Sequence, residues 1–291
     1  MSDAVVALDD VTTGYRGTAR LHRVSLRLGA GLHVVLGPNG SGKTTLFRVI
    51  AGVLPPWSGT VTRSEPVGYV AHRLGLSPRS TVADNLAFWA RLHQVTAGDG
   101  CHDELTDLGV DDLRDRRVST LSRGQAQRVA IARTLLASPG VLLLDEPLAG
   151  VDPSGIRTLT ETMTTLAAHG RCVVVTSHGL AELAGLDADV VALRDGEVVA
   201  HGHAAELRRR LGGGAVTVRL VGGPGLVETL AANGVDAEAR ADGAVVTRVT
   251  GRDDVAALVR LLVSAGVDVF EASPVTDDLT EVYRGLEEGA R

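Results

Sequence analysis

At 291 residues and a net charge of −6, the chain has room for one large α/β domain and a small one, or for two mid-sized domains, and lacks the basic balance that grips nucleic acid or anionic lipid. Its composition, 44% hydrophobic but only 3% aromatic, requires a core of Val, Leu, Ala and Ile. Two cysteines, Cys101 and Cys172, are too few for a disulfide framework, and no apolar run reaches the ~18–20 residues that span a bilayer.

The first thirty residues read as antiparallel β. Residues 5–7 form a short strand, 11–17 a turn region, and Leu21, Val24, Leu26 and Leu28 alternate with polar neighbours. Residues 32–36 then form a strand of the buried type, the stretch GPNGSGKTT follows at 37–45, and 44–51 read as a helix ended by Gly52 and the Pro55-Pro56 pair. Strands at 59–62 and 67–70 precede a helical insertion, about 72–136, with segments at 81–93, 103–109 and 124–136.

An apolar strand returns at 141–144, Pro153 opens a helix reaching about His169, and 171–176 form another buried strand. Alternation of such strands with helices implies a parallel sheet. Residues 190–199 read as a hairpin turning at Asp195-Gly196, and 204–214 as a short helix with a glycine linker. That linker separates a domain at 1–210 from a small α+β domain at 215–291. The latter reads strand, helix, two strands, helix, strand, closing helix (276–287), the split βαβ order of a ferredoxin-like fold.

The chemistry concentrates after the first buried strand. Gly37-Pro38-Asn39-Gly40-Ser41-Gly42-Lys43-Thr44, continued by Thr45, fits G-x-x-x-x-G-K-[ST]. In that pattern, loop and helix N–H groups converge on phosphates, Lys43 reaches the β/γ-phosphates and the Thr44 hydroxyl goes to Mg²⁺. A plain glycine turn is the alternative, which four specified positions in a strand-to-helix context outweigh. Lys43 is also the one lysine among 29 basic residues; the other 28 are arginine.

The apolar strand at 141–144 ends in Asp145-Glu146, at the sheet edge where open α/β folds bind ligands. Asp145 suits Mg²⁺ and Glu146 suits a general base toward attacking water. A solvated strand end is the bland reading of the pair taken alone.

Between these motifs, Leu121-Ser122-Arg123-Gly124-Gln125 resembles the LSGGQ signature of ABC-type ATPases, with Arg in the third position. The ordered motif set covers about residues 5–210 and is similar to the ATP-binding subunit of an ABC transporter. The fold class expected is therefore α/β: a P-loop ATPase cassette with an N-terminal antiparallel β region and a helical insertion, followed by the small ferredoxin-like domain.

The resemblance implies that Tyr15 stacks on adenine, and that Ser122, Gly124 and Gln125 serve an ATP held by a second subunit. A helix-capping role for Ser122 is compatible with this. It further implies a D-loop role for Asp152, in Ala149-Gly150-Val151-Asp152, and a γ-phosphate-sensing role for His178. One departure stands out, because the family's glutamine near Mg²⁺ and water is replaced by His72, in Gly68-Tyr69-Val70-Ala71-His72. A neutral imidazole can still accept from water or ligate a metal.

These resemblances imply ATP and Mg²⁺ as cofactors, a second ATP-binding subunit and an integral-membrane permease as partners, and no nucleic acid. The location implied is the cytoplasmic face of the membrane, peripheral through the permease. The final stretch SPVTDDLTEVYRGLEEG is similar to the tail of drug-resistance export ATPases. Leu74, Leu76, Val82, Leu86, Phe88 and Trp89 form a candidate coupling surface, although core packing is the other role for each. The alternatives to a transporter subunit are a soluble non-transport ABC-type ATPase and an ATP-dependent regulator.

Overall fold

The computed structural model describes residues 4–95, 108–177, 186–211, 216–240, 242–249 and 252–274. The chain divides into two compact units after His203, so the helix at 204–211 groups with the second unit.

In the first unit, β1 (Val6–Tyr15) and β2 (Thr18–Leu28) form a long antiparallel hairpin. Residues 11–17, expected as a turn region, are strand as far as Tyr15. Only Arg16 and Gly17 turn, with φ of 51° and 78°, the positive values a two-residue hairpin loop needs. Strand β3 (Gly31–Leu36) leads into the glycine loop and α1 (Lys43–Ile50). Strand β4 (Ser58–Arg63) pairs with β1 and completes a three-stranded antiparallel sheet.

A six-stranded sheet carries the rest, in the order β5-β6-β7-β3-β8-β9. Its members are β5 (Val67–Val70), β6 (Val141–Asp145), β7 (Cys172–Thr176), β8 (Asp189–Arg194) and β9 (Glu197–His203) beside β3. All pairs are parallel except β8 with β9, the expected hairpin. Strands β6 and β7 are buried at every residue, which is why each reads as an apolar run up to its last residue, Asp145 or Thr176. Helix α1 buries Leu46, Phe47, Val49 and Ile50 in a core with Val35, Leu143 and Val174, each such side chain contributing about 1.5–3 kcal/mol.

The insertion holds α2 (Val82–Leu92), capped by Thr81, and α3 (Arg123–Leu135), capped by Ser122. The segment expected to be helical at 103–109 lies outside the described residues as far as 107, and 108–109 form a turn. Helix α4 (Pro153–Ala168) starts at Asp152, whose carboxylate accepts from the Ser154 and Gly155 N–H groups while Pro153 presets the first turn.

In the second unit, α5 (Ala204–Leu211) is followed by β10 (Val216–Gly222), α6 (Leu226–Ala232), β11 (Ala237–Ala239), β12 (Val245–Val249), α7 (Arg252–Ser264) and β13 (Val269–Pro274). The antiparallel sheet order β11-β12-β10-β13 is the ferredoxin-like split βαβ arrangement. Val218, Leu220, Leu230 and Leu262 anchor its core. The closing helix expected at 276–287 lies outside the described residues, as does the tail that carried the export resemblance beyond Ser273 and Pro274.

Candidate functional site

The C-terminal ends of β3 and β6 flank β7 at one sheet edge. Thr176, the last residue of β7, pairs with Asp145 on one side and with Val35 on the other. The phosphate loop begins two residues beyond Val35, so this register brings loop and carboxylates to one place.

The loop closes on α1 through Gly42, which takes φ 109°. A Cβ there would lie 2.9 Å from the Arg20 carbonyl oxygen and 2.9 Å from Leu21 Cδ2. Only glycine meets both demands. Lys43 is buried and its Nζ donates to the carbonyls of Gly37 (2.6 Å) and Pro38 (3.0 Å). Burial lowers its pKa, opposed by the charges of Glu146 and Asp145.

A cavity of about 340 Å³ opens over this loop, lined by Tyr15, Arg20, Asn39, Gly40, Gly42, Lys43, Thr44, Thr45 and Glu146. Eight of these nine were expected from the sequence; Arg20 was not. Gly37 and Pro38 contribute through their carbonyls, while Ser41 is buried beneath the loop. Tyr15 stands half-open at the rim, its hydroxyl accepting from Arg48 at 3.0 Å.

Asp145 is 4% exposed and held at both oxygens: Thr176 Oγ1 donates to Oδ1 at 2.9 Å and the Tyr69 hydroxyl to Oδ2 at 3.2 Å. Burial and the neighbouring Asp145 charge push the Tyr69 pKa up, so the phenol stays a donor. The same Thr176 oxygen accepts the Glu146 N–H at 2.8 Å. Glu146 takes φ 54°, a left-handed value uncommon for such a side chain. Thr176 thus fixes the carboxylate strand end at two points.

His72 stands beside Glu146, its Nδ1 3.6 Å from Oε2. His178 lies outside the described residues. A carboxylate has about four acceptor positions, and Asp145 uses two on protein hydroxyls, which leaves capacity for a metal-bound water. With the Thr44 hydroxyl this is a hard-oxygen donor set, which fits Mg²⁺. Among the described residues no group of three His, Cys, Asp or Glu converges as a protein cage for a metal.

Ser122, Gly124, Gln125 and Asp152 do not line this cavity. They form a second cluster. Ser122 and Gln125 make a reciprocal capping box: Gln125 N donates to Ser122 Oγ at 3.2 Å and Ser122 N to Gln125 Oε1 at 3.0 Å. Arg123, in the signature's variable position, donates to the Ala149 carbonyl at 2.9 Å, and a Cβ on Gly124 would lie 3.0 Å from Val151 Cγ1. The signature is thereby packed on the turn that leads to Asp152. Ser122 itself remains exposed.

Residues 21–149 match the ABC transporter family. The daunorubicin resistance ATP-binding protein DrrA3 of Streptomyces coeruleorubidus is 30% identical over 307 aligned positions, covering 98% of this chain and 96% of that protein. This chain belongs to the ABC transporter family, as a nucleotide-binding ATPase. The cytochrome c biogenesis ATP-binding export protein CcmA of Rhodobacter capsulatus is 37% identical over 188 residues, 63% of this cassette-bearing chain and 86% of that protein. In fold, the ABC ATPase resembles the ATP-binding cassette MJ0796, solved as a dimer in a post-hydrolysis state with ADP and Pi: TM-score 0.60 and 24% identity over 68% of this chain and 98% of that one. Among the described residues, no helix of the ATPase is long and apolar enough to cross a membrane.

Sequence reasoning missed three residues of this site. Thr176 and Tyr69 each carry a signal that could have found them, a hydroxyl near the end of a strand beside the acidic one. Arg20 carried none, because a lone Arg in a strand with many polar residues looks like any solvated position.

Proposed function

We propose that this ATPase works as a dimer closing around two ATP molecules and drives export through a separate membrane permease. The observation that carries the reading is the separation of its two motif clusters. Ser122 is exposed at the N-terminus of its helix, Gly124 follows within the first turn, and neither lines the cavity that holds Lys43, so the pair suits the γ-phosphate of an ATP bound to a second copy. Match to the drug-resistance protein DrrA3 along nearly the whole chain, including the second unit, supports the export direction.

In this reading Tyr15 stacks on the base and the loop N–H groups with Lys43 neutralise the β- and γ-phosphates. Thr44 and Asp145 would hold Mg²⁺, which when bound would supply neutralisation of the phosphate charge. Glu146, held by Thr176, orients water in line with the γ-phosphorus and takes its proton as the bond to ADP breaks. His72, beside Glu146, occupies the glutamine's place on the water side. Asp152 relays between the two subunits and His178 senses the γ-phosphate.

The permease docks on the α2 face. Phe88 and Leu92 are 59% and 58% exposed there. Trp89 is clamped between His93 and the Arg133 guanidinium, 4.9 Å from its centroid, and Arg133 donates to the Leu74 and Gly75 carbonyls just past His72. A permease helix seated here would press on the segment that carries His72. The partner anchors the ATPase at the cytoplasmic face of the membrane.

Glu146→Gln tests the core of this reading: it should bind ATP, abolish steady hydrolysis and accumulate an ATP-bound dimer on size exclusion. Rapid turnover by that variant would remove Glu146 from its role. Co-expression with a candidate permease from the same genome should give co-purification and an altered ATPase rate. No association and an unchanged rate would remove the permease.

A further inference from the structure

We infer that Arg20 is a second nucleotide-gripping cation, which binds the α-phosphate between the Tyr15 end of the cavity and the Lys43 end. The inference rests on the cavity being the nucleotide site, and deepens it.

The register of the first hairpin carries the argument. Thr13 faces Leu21, but Gly14 faces Ala19, so β2 advances two residues while β1 advances one, and Arg20 is the extra residue of a β-bulge. Bulges of this kind re-aim a side chain and recur beside active sites. The neighbouring Gly14 is required by it, since a Cβ there would run into the Thr18 carbonyl and the Arg20 amide. The bulge is also locked from behind: the Arg20 carbonyl abuts Gly42 of the phosphate loop, and Gly196 in the β8–β9 turn ties loop to strand by donating to Ser41 O at 3.0 Å and accepting from His22 N at 2.8 Å.

Its direction follows from what it lines. Arg20 shares the cavity with Tyr15 and with Lys43, and among the described residues its guanidinium has no hydrogen-bond or ion-pair partner. Its backbone lies against Gly42, where α1 begins, while Tyr15 lies on the paired strand directly opposite Thr18, at the hairpin's turn. That location falls between base and β-phosphate. A guanidinium fork matches phosphate oxygens with two parallel N–H donors, and at this open rim its width is no obstacle.

The α-phosphate is common to ATP and ADP, so Arg20→Gln should weaken both by the same factor, about tenfold, which is ~1.4 kcal/mol. The test measures Kd of the full chain for ATP and for ADP by calorimetry, in wild type, Arg20→Gln and Arg20→Lys, with melting of each nucleotide-free protein as the folding control. Expected are equal losses for ATP and ADP in Arg20→Gln, a smaller loss in Arg20→Lys, an unchanged melt, and in turnover a raised KM for ATP with kcat held. Unchanged affinities in Arg20→Gln would overturn the assignment, and a loss confined to ATP would overturn its placement at the α-phosphate. Wild type binding neither nucleotide would instead strike the nucleotide-site reading beneath it.

Discussion

Replacing Thr176 by Val keeps the volume and shape of a fully buried side chain and deletes one oxygen. That oxygen donates to Asp145 Oδ1 at 2.9 Å and accepts from Glu146 N at 2.8 Å. Losing the bond to a charged acceptor costs about 1.5–3 kcal/mol and stranding a part-buried amide about 1–3 kcal/mol. The two share one group and do not add fully, so a net loss of about 3 kcal/mol is expected. For a unit of 203 residues this lowers Tm by roughly 6–12 °C. Released from its anchor, Glu146 has less reason to hold its left-handed φ of 54°, and kcat should fall about 10–100-fold. Because Thr176 does not line the cavity, KM for ATP should change little. Differential scanning fluorimetry and steady-state phosphate release measure both effects, and Thr176→Ser should recover most of each. A Val variant with wild-type Tm and kcat would refute the claim that this hydroxyl positions the carboxylates.

Lys43→Arg keeps the charge but puts a planar fork where an ammonium sits 2.6 and 3.0 Å from two loop carbonyls; ATP binding or turnover should drop at least about tenfold by calorimetry and phosphate release. His72→Gln, which restores the family's residue next to Glu146, should preserve or raise turnover, and a large loss would show that the imidazole is specifically needed.

The parts of this fold that were legible in the sequence are those where one physical demand dominates. Residues 34–36, 141–144 and 172–175 are apolar throughout because both faces of their strands are covered, and the glycine loop has few substitutes near phosphate. β1 was harder to read. Asp10 breaks its alternation with φ 53°, and the register slips three times between Leu8 and Gly14, so residues 11–15 look like a turn until β2 is seen paired with them. Thr176 hid for a different reason: a β-branched residue belongs in a strand, and nothing local says that its hydroxyl serves the neighbouring strand's end. Arg20 is the extreme case. Its role depends on a one-residue offset between two strands, which no single-strand pattern carries.

Lys43 has a consequence outside hydrolysis. Apart from the α-amine, it is the one primary amine in these 291 residues. Any cellular chemistry that acts on lysine side chains, whether acylation or the conjugation of a degradation tag, can therefore land on this chain only within the phosphate loop. Bound nucleotide would shield it there, and its modification would report directly on how often the loop stands empty.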